Sequence, residues 1–153
     1  MCNDIESVEV IERELSENGF FVSNTLGVSM QPLFKTHRDM VIIKRPDREL
    51  RKYDVVLYKD KAARYILHRI IKVCEDFYVI RGDNTYAKEY VPKENVIGVL
   101  TSYRNKMKRH SVEDFSFKLY SRFWNFIYPL RYLKRKLRIA LGRIYKKLFK
   151  KAK

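Results

Sequence analysis

Acidic residues are almost missing from the last third of this 153-residue chain. Beyond residue 100 only Glu113 and Asp114 are negative, against 17 lysines and arginines. Residues 1–100 hold 16 basic and 16 acidic side chains, so the entire formal net charge of +15 belongs to residues 101–153. That asymmetry reads as a neutral globular unit followed by a basic segment with a partner of its own. Cysteine is scarce as well. Cys2 and Cys74 make no C-x-x-C pair and no metal-like spacing. A disulfide framework is therefore not supported, a reducing compartment is the simpler expectation, and neither metal nor cofactor is expected. No apolar run reaches the ~18 residues that a membrane-spanning helix needs. The longest, "FWNFIYPL" at 123–130, is short and broken by Pro129. The start, "MCNDIESVEVIEREL", is acidic and lacks a basic stretch followed by an apolar one, so it is not read as a signal peptide. With only five glycines and four prolines in the chain, Gly27, Pro32, Gly82, Pro92 and Gly98 are candidates for special backbone positions.

What is present is enough for a core: 46% hydrophobic and 14% aromatic residues exclude a disordered chain. In residues 4–18, Ile5, Val8, Ile11 and Leu15 recur at spacings of three and four between glutamates, which predicts a short amphipathic helix stopped by Asn18-Gly19. From residue 20 to 104 the period shortens. "FFVSNTLG", "MVIIKR", "DVVLYKD", "RYILHRIIKV", "FYVIRGD" and "NVIGVLTSYR" are separated by turn-forming clusters, which predicts an antiparallel β-domain of about six strands. After Arg104 the pattern is helical. Leu130, Leu133, Leu137, Leu141, Ile144 and Leu148 form an apolar stripe among many lysines and arginines. The reading is a mainly β fold, residues 1–104, with a basic amphipathic helical extension, residues 105–153.

Chemistry is sought in "NTLGVSMQPLF", residues 24–34, where Ser29 lies in a turn three residues before Pro32. A serine nucleophile needs a base. His37 lies in a polar turn and His110 in the connector "NKMKRHS", both read as solvated. His68 stands in the apolar strand "YILHRIIKV", where a histidine is costly unless paired or used.

The order of these segments resembles the catalytic domain of the serine signal peptidases over roughly residues 20–100. Ser29-Met30-Gln31-Pro32 fits the family's Ser-Met-x-Pro box. Its Gly-Asp-x-Val box is approximated by Arg38-Asp39-Met40-Val41 and by Tyr53-Asp54-Val55-Val56, both without the glycine. Gly82-Asp83-Asn84 and Asn95-Val96-Ile97-Gly98 match two further boxes. Bacterial members carry Lys-Arg where this chain has His68-Arg69, so the resemblance is to the endoplasmic-reticulum and archaeal branch, with its Ser–His pair. The related SOS repressors use lysine and carry a helix-turn-helix that this chain lacks.

The resemblance implies a serine endopeptidase, with Ser29 attacking and His68 as general base, acting on a leader or signal-like peptide or precursor protein. Histidine suits the role because its ordinary pKa, near 6.5, needs little tuning. Glu89 and Asp83 are both candidates for a third member. The Ser29 backbone N–H is the expected oxyanion donor, and Gly27 stands where some relatives place a serine hydroxyl, so a substrate backbone is expected to pass close to it. The family places a transmembrane anchor before the serine box, where this sequence is expected to form only the acidic 4–18 helix. The basic extension is expected to replace it, with residues 111–153 docking on an anionic membrane surface through Trp124, Leu137, Ile144, Arg135, Lys146 and Lys147. That implies a cytoplasmic protein, peripheral on the inner face of the membrane. Nucleic acid is the disfavoured partner, because a phosphate-binding helix does not need an apolar stripe. An inactive peptidase-fold binding module is the alternative reading of the β-domain, and a structural cap is the alternative reading of the tail.

Overall fold

The computed structural model describes the backbone of residues 3–149 and the side chains of residues 10–143 and 145. The side chains of Ile5, Val8, Ile144, Lys146, Lys147 and Leu148 lie outside the described residues. Two helical segments flank a sheet. The elements are α1 (Asn3–Glu17), β1 (Phe20–Asn24), β2 (Met40–Lys44), β3 (Val55–Lys59), β4 (Tyr65–Val73) and β5 (Phe77–Arg81). There follow β6 (Glu89–Pro92), β7 (Val96–Asn105), β8 (Lys108–Ser111), α2 (Phe115–Phe126) and α3 (Tyr128–Phe149).

The chain is mainly antiparallel β, as its sequence leads one to expect. The strands run in the order β1-β2-β7-β3-β4-β5-β6, and β8 pairs with β7. Eight strands form rather than about six. The two additional strands, "EYVP" and "KRHS", carry no apolar alternation and pair because a neighbour offers them hydrogen bonds: Glu89 opposes Ile80, and Ser111 opposes Ser102. The expected boundary after residue 104 therefore falls at the β7–β8 turn, where Lys106 has φ 54°. Helix begins only at Phe115.

Strand β3 reads "VVLY" and is buried on both faces, as a short continuous apolar run predicts. Val55 and Leu57 face one cluster with Leu15, Met30, Phe34, Ile43, Leu100 and Phe117. Val56 and Tyr58 face a second with Ile70, Ile80, Val91 and Val99. α1 joins the first cluster through Leu15, with Ile11 packed beside it. α2 joins it through Phe117, so the helical extension is part of the packed structure. Among the described residues no helix is long and apolar enough to cross a membrane.

Candidate active site

Ser29 lies in the loop between β1 and β2, and that loop is fastened at both ends. Thr25 Oγ1 donates to the carbonyls of Lys35 (3.0 Å) and Asp39 (3.1 Å). Buried Asp39 accepts from the Lys35 N–H at 2.8 Å and is clasped by the Arg38 guanidinium at 2.6 and 2.9 Å. The Arg-Asp of the first motif thus holds the Ser29 loop. Met30, Leu33 and Phe34 are buried in the core directly after Ser29, which fixes the turn from below. Gly27 has φ 79°, a left-handed conformation that suits glycine, and open space lies where its Cβ would be. Ser29 and Gly27 line an apolar cleft of about 1300 Å³ whose walls include Leu26, Met30, Leu57, Tyr65 and Leu67.

His68 sits on β4 opposite Val56 and is 5% exposed. Its Nδ1 lies 3.1 Å from Glu89 Oε1 on β6. The other carboxylate oxygen of Glu89 accepts the Tyr58 O–H, and the Tyr58 oxygen is 3.4 Å from His68 Nδ1. Tyr58 reaches His68 diagonally across the β3–β4 pair, since its direct partner is Ile66. A carboxylate at Nδ1 favours the tautomer with its hydrogen there and leaves Nε2 as an acceptor. Burial pushes the His68 pKa below its ordinary value of 6.5, and Glu89 opposes the shift without cancelling it. The ring is therefore neutral at pH 7. Burial, followed by Glu89, pushes the Tyr58 phenol up, so Tyr58 remains a hydrogen-bond donor.

The Nε2 side of the ring meets the serine loop at Gly82. A Cβ on Gly82 would lie 2.7 Å from the Ser29 carbonyl oxygen and 2.9 Å from His68 Nε2. Only a residue without a side chain lets the two segments close on that point. The next turn fastens the serine loop further: Asn84 N–H donates to Ser29 O at 2.7 Å, and Asn84 Nδ2 donates to Val28 O at 3.2 Å. Gly82→Ala is therefore expected to push the histidine and the serine loop apart. Because a displacement of about 1 Å costs on the order of 10²-fold in a positioned reaction, fluorophosphonate labelling of the variant is expected to slow by about that factor. Circular dichroism should show the fold retained, with about 1–3 kcal/mol lost to overpacking.

Strand alternation separates the two acidic candidates. Successive side chains point to opposite faces, so His68 turns to Glu89 while Arg69 turns the other way. Arg69 is fully buried and grips Asp83 through two bonds of 2.8 Å. Its remaining donors reach Ser121 Oγ (2.6 Å) on α2 and the Tyr53 carbonyl (3.0 Å). Tyr120 O–H donates to Asp83 Oδ2 at 3.1 Å. Asp83 is thus committed to Arg69 and α2, and Glu89 is the carboxylate on the His68 ring. His110, expected in solvent, instead stacks on Tyr103 with ring centroids 5.0 Å apart.

Two residues assigned to a membrane face lie elsewhere. Trp124 Nε1 donates to the Asp83 carbonyl at 2.9 Å, and Arg131 lies 3.8 Å over the indole ring while donating to the same carbonyl at 3.0 Å. The Arg135 guanidinium lies 4.4 Å over the Tyr86 ring. Both face the Gly82-Asp83-Asn84 turn and its sequel, because the aromatic and cationic side chains at 120, 124, 128, 131 and 135 share one side of the helix. Leu137 is exposed.

Tyr58 had no motif to announce it. Its apolar strand context pointed to the core, and only strand register brings its hydroxyl to Glu89.

The chain matches no protein-family model and no curated protein. Its functional reading therefore rests on the arrangement of its own side chains. Among the described residues, no group of three or more histidine, cysteine or acidic side chains is placed to hold a metal ion.

Proposed function

We propose that the chain is a serine endopeptidase of the signal-peptidase type, acting on a leader or signal-like peptide. Ser29 attacks the scissile carbonyl, His68 takes its proton at Nε2 and later delivers it to the leaving amine, and Glu89 holds the ring and stabilises the imidazolium formed between those steps. The Ser29 backbone N–H is the oxyanion donor in this reading. The apolar cleft that begins at Ser29 and Gly27 suits the hydrophobic side chains of such a peptide. The signal-peptidase-like fold and a peripheral place at the inner face of a membrane belong to the same proposal.

One observation carries it: His68 has a carboxylate on Nδ1, while its Nε2 and the Ser29 segment meet at the single point kept clear by Gly82. The experiment is labelling with a fluorophosphonate, which reports an activated serine without knowledge of the substrate. Wild type is expected to incorporate one label, located on Ser29 by peptide mass spectrometry, and Ser29→Ala to incorporate none while keeping its melting temperature. Folded wild-type protein that stays unlabelled would favour the inactive binding module.

A further inference from the structure

The face of α2 and α3 opposite to Trp124 and Arg131 is apolar and uncovered. Hydrogen bonds from Ile127 N–H to Phe123 O (3.0 Å) and from Arg131 N–H to Ile127 O (3.1 Å) carry helical geometry across the junction of the two helices. On α2 the exposed apolar residues are Phe115, Leu119, Phe123 and Phe126. On α3 the exposed Tyr132, Ile139 and Tyr145 lie off this row, and Leu130, Leu133, Leu137 and Leu141 continue it. Their spacings of three and four place them on one stripe. At 1.5 Å per residue the stripe runs about 39 Å. Every one of the eight is 52 to 81% exposed. Singly exposed leucines are ordinary, but a contiguous apolar stripe marks a surface that is covered in use.

Charge identifies the cover. Residues 115–149 contain ten lysines and arginines and no acidic residue. Lys118, Arg122 and Lys136 project by helical spacing along one flank of the stripe, and Lys134 and Arg138 along the other. We infer that this outer face lies in the interfacial layer of an anionic membrane, with the apolar stripe entering the acyl boundary and the flanking bases at the headgroups. A second copy of the chain is a poor occupant, since pairing two stripes would set basic flanks against basic flanks without the acidic partners that helix pairing uses. Nucleic acid would engage the charges and leave the leucines and phenylalanines in water. The membrane face is thus made by α2 and α3 together, and its aromatic anchors are Phe115, Phe123 and Phe126, not Trp124. The inner face of the same helices holds the Asp83 turn, so docking keeps that turn about one helix diameter, roughly 10 Å, from the lipid.

The test needs no catalysis, so its outcome is independent of the peptidase reading. Full-length protein is mixed with vesicles of phosphatidylcholine alone, or of equal parts phosphatidylcholine and phosphatidylglycerol, and pelleted. Wild type is expected to pellet with the anionic vesicles, less strongly but still measurably at high salt, since salt screens the charges and not the stripe. Leu130→Asp with Leu137→Asp is expected to weaken binding at least about tenfold, because each leucine kept out of the interface forfeits its hydrocarbon transfer. Leu141→Asp, in a turn of α3 whose described side chains are all exposed, should weaken it in the same direction with an unchanged melting curve. The inference is overturned if wild type stays in the supernatant, or if the aspartate variants, shown folded by circular dichroism, pellet like wild type. It also fails if ultracentrifugation shows a dimer that the double variant breaks and no vesicles are bound.

Discussion

His68→Ala is expected to slow fluorophosphonate labelling of Ser29 by about 10³- to 10⁶-fold, the range seen when a serine nucleophile loses its base. The pH dependence makes the assignment specific. A base must be unprotonated to work, so labelling by wild type should be flat above neutrality and fall as the pH drops. Burial lowers the His68 pKa, so the midpoint of that fall should lie below 6.5. Glu89 acts in the opposite sense and raises the His68 pKa by its charge and hydrogen bond. Removing that charge in Glu89→Gln should therefore move the midpoint lower still while reducing the plateau. The plateau loss is expected to be about 10²-fold, less than for the histidine, because Glu89 is one-third exposed and water can partly take its place. Asp83→Asn is expected to act mainly on stability, since Asp83 is bound to Arg69 rather than to the ring. A midpoint unmoved in Glu89→Gln, with the plateau intact, would remove Glu89 from the mechanism.

Deleting residues 112–153 is expected to abolish labelling and lower the melting temperature by more than about 10 °C, using a few degrees per kcal/mol for a chain of this size. The deletion takes Phe117 out of the first core cluster, and truncating a buried phenylalanine alone costs about 3–5 kcal/mol. It also strips Ser121 and Tyr120 from the Arg69–Asp83 pair, and Trp124 and Arg131 from the Asp83 carbonyl. Asp83 lies between Gly82, against which the Ser29 loop and His68 close, and Asn84, which holds the Ser29 carbonyl. Loss of the helix is thus felt at Ser29. Deleting only 137–153 keeps every one of these contacts, and labelling should remain within about threefold of wild type. Equal labelling by the two truncations would separate the helices from the site.

The antiparallel sheet was legible because Val, Ile, Tyr and Phe alternate over short segments between turn clusters, a pattern that burying one or both sheet faces requires. The N-terminal helix was legible for the same reason at a period of 3.6. β6 and β8 were not: β8 is polar throughout, β6 has only Val91 to bury, and the strand form of both comes from a partner's backbone.

Ser29, His68 and the Gly82-Asp83-Asn84 turn were singled out from the sequence by residue type and order. The sequence also located the net charge of +15 and the apolar stripe of the tail, both of which are local properties of the chain. Tertiary structure alone decided which of Glu89 and Asp83 meets the His68 ring. Adjacent residues His68 and Arg69 point to opposite faces of β4, and each takes the carboxylate that the neighbouring strand or turn offers on its side. It alone recruited Tyr58, a matter of diagonal register. It alone divided the basic helix into an inner face that grips the Asp83 turn and an outer face that no other part of the described chain covers, because periodicity shows that a helix has an apolar side but not how its polar aromatic side will pack.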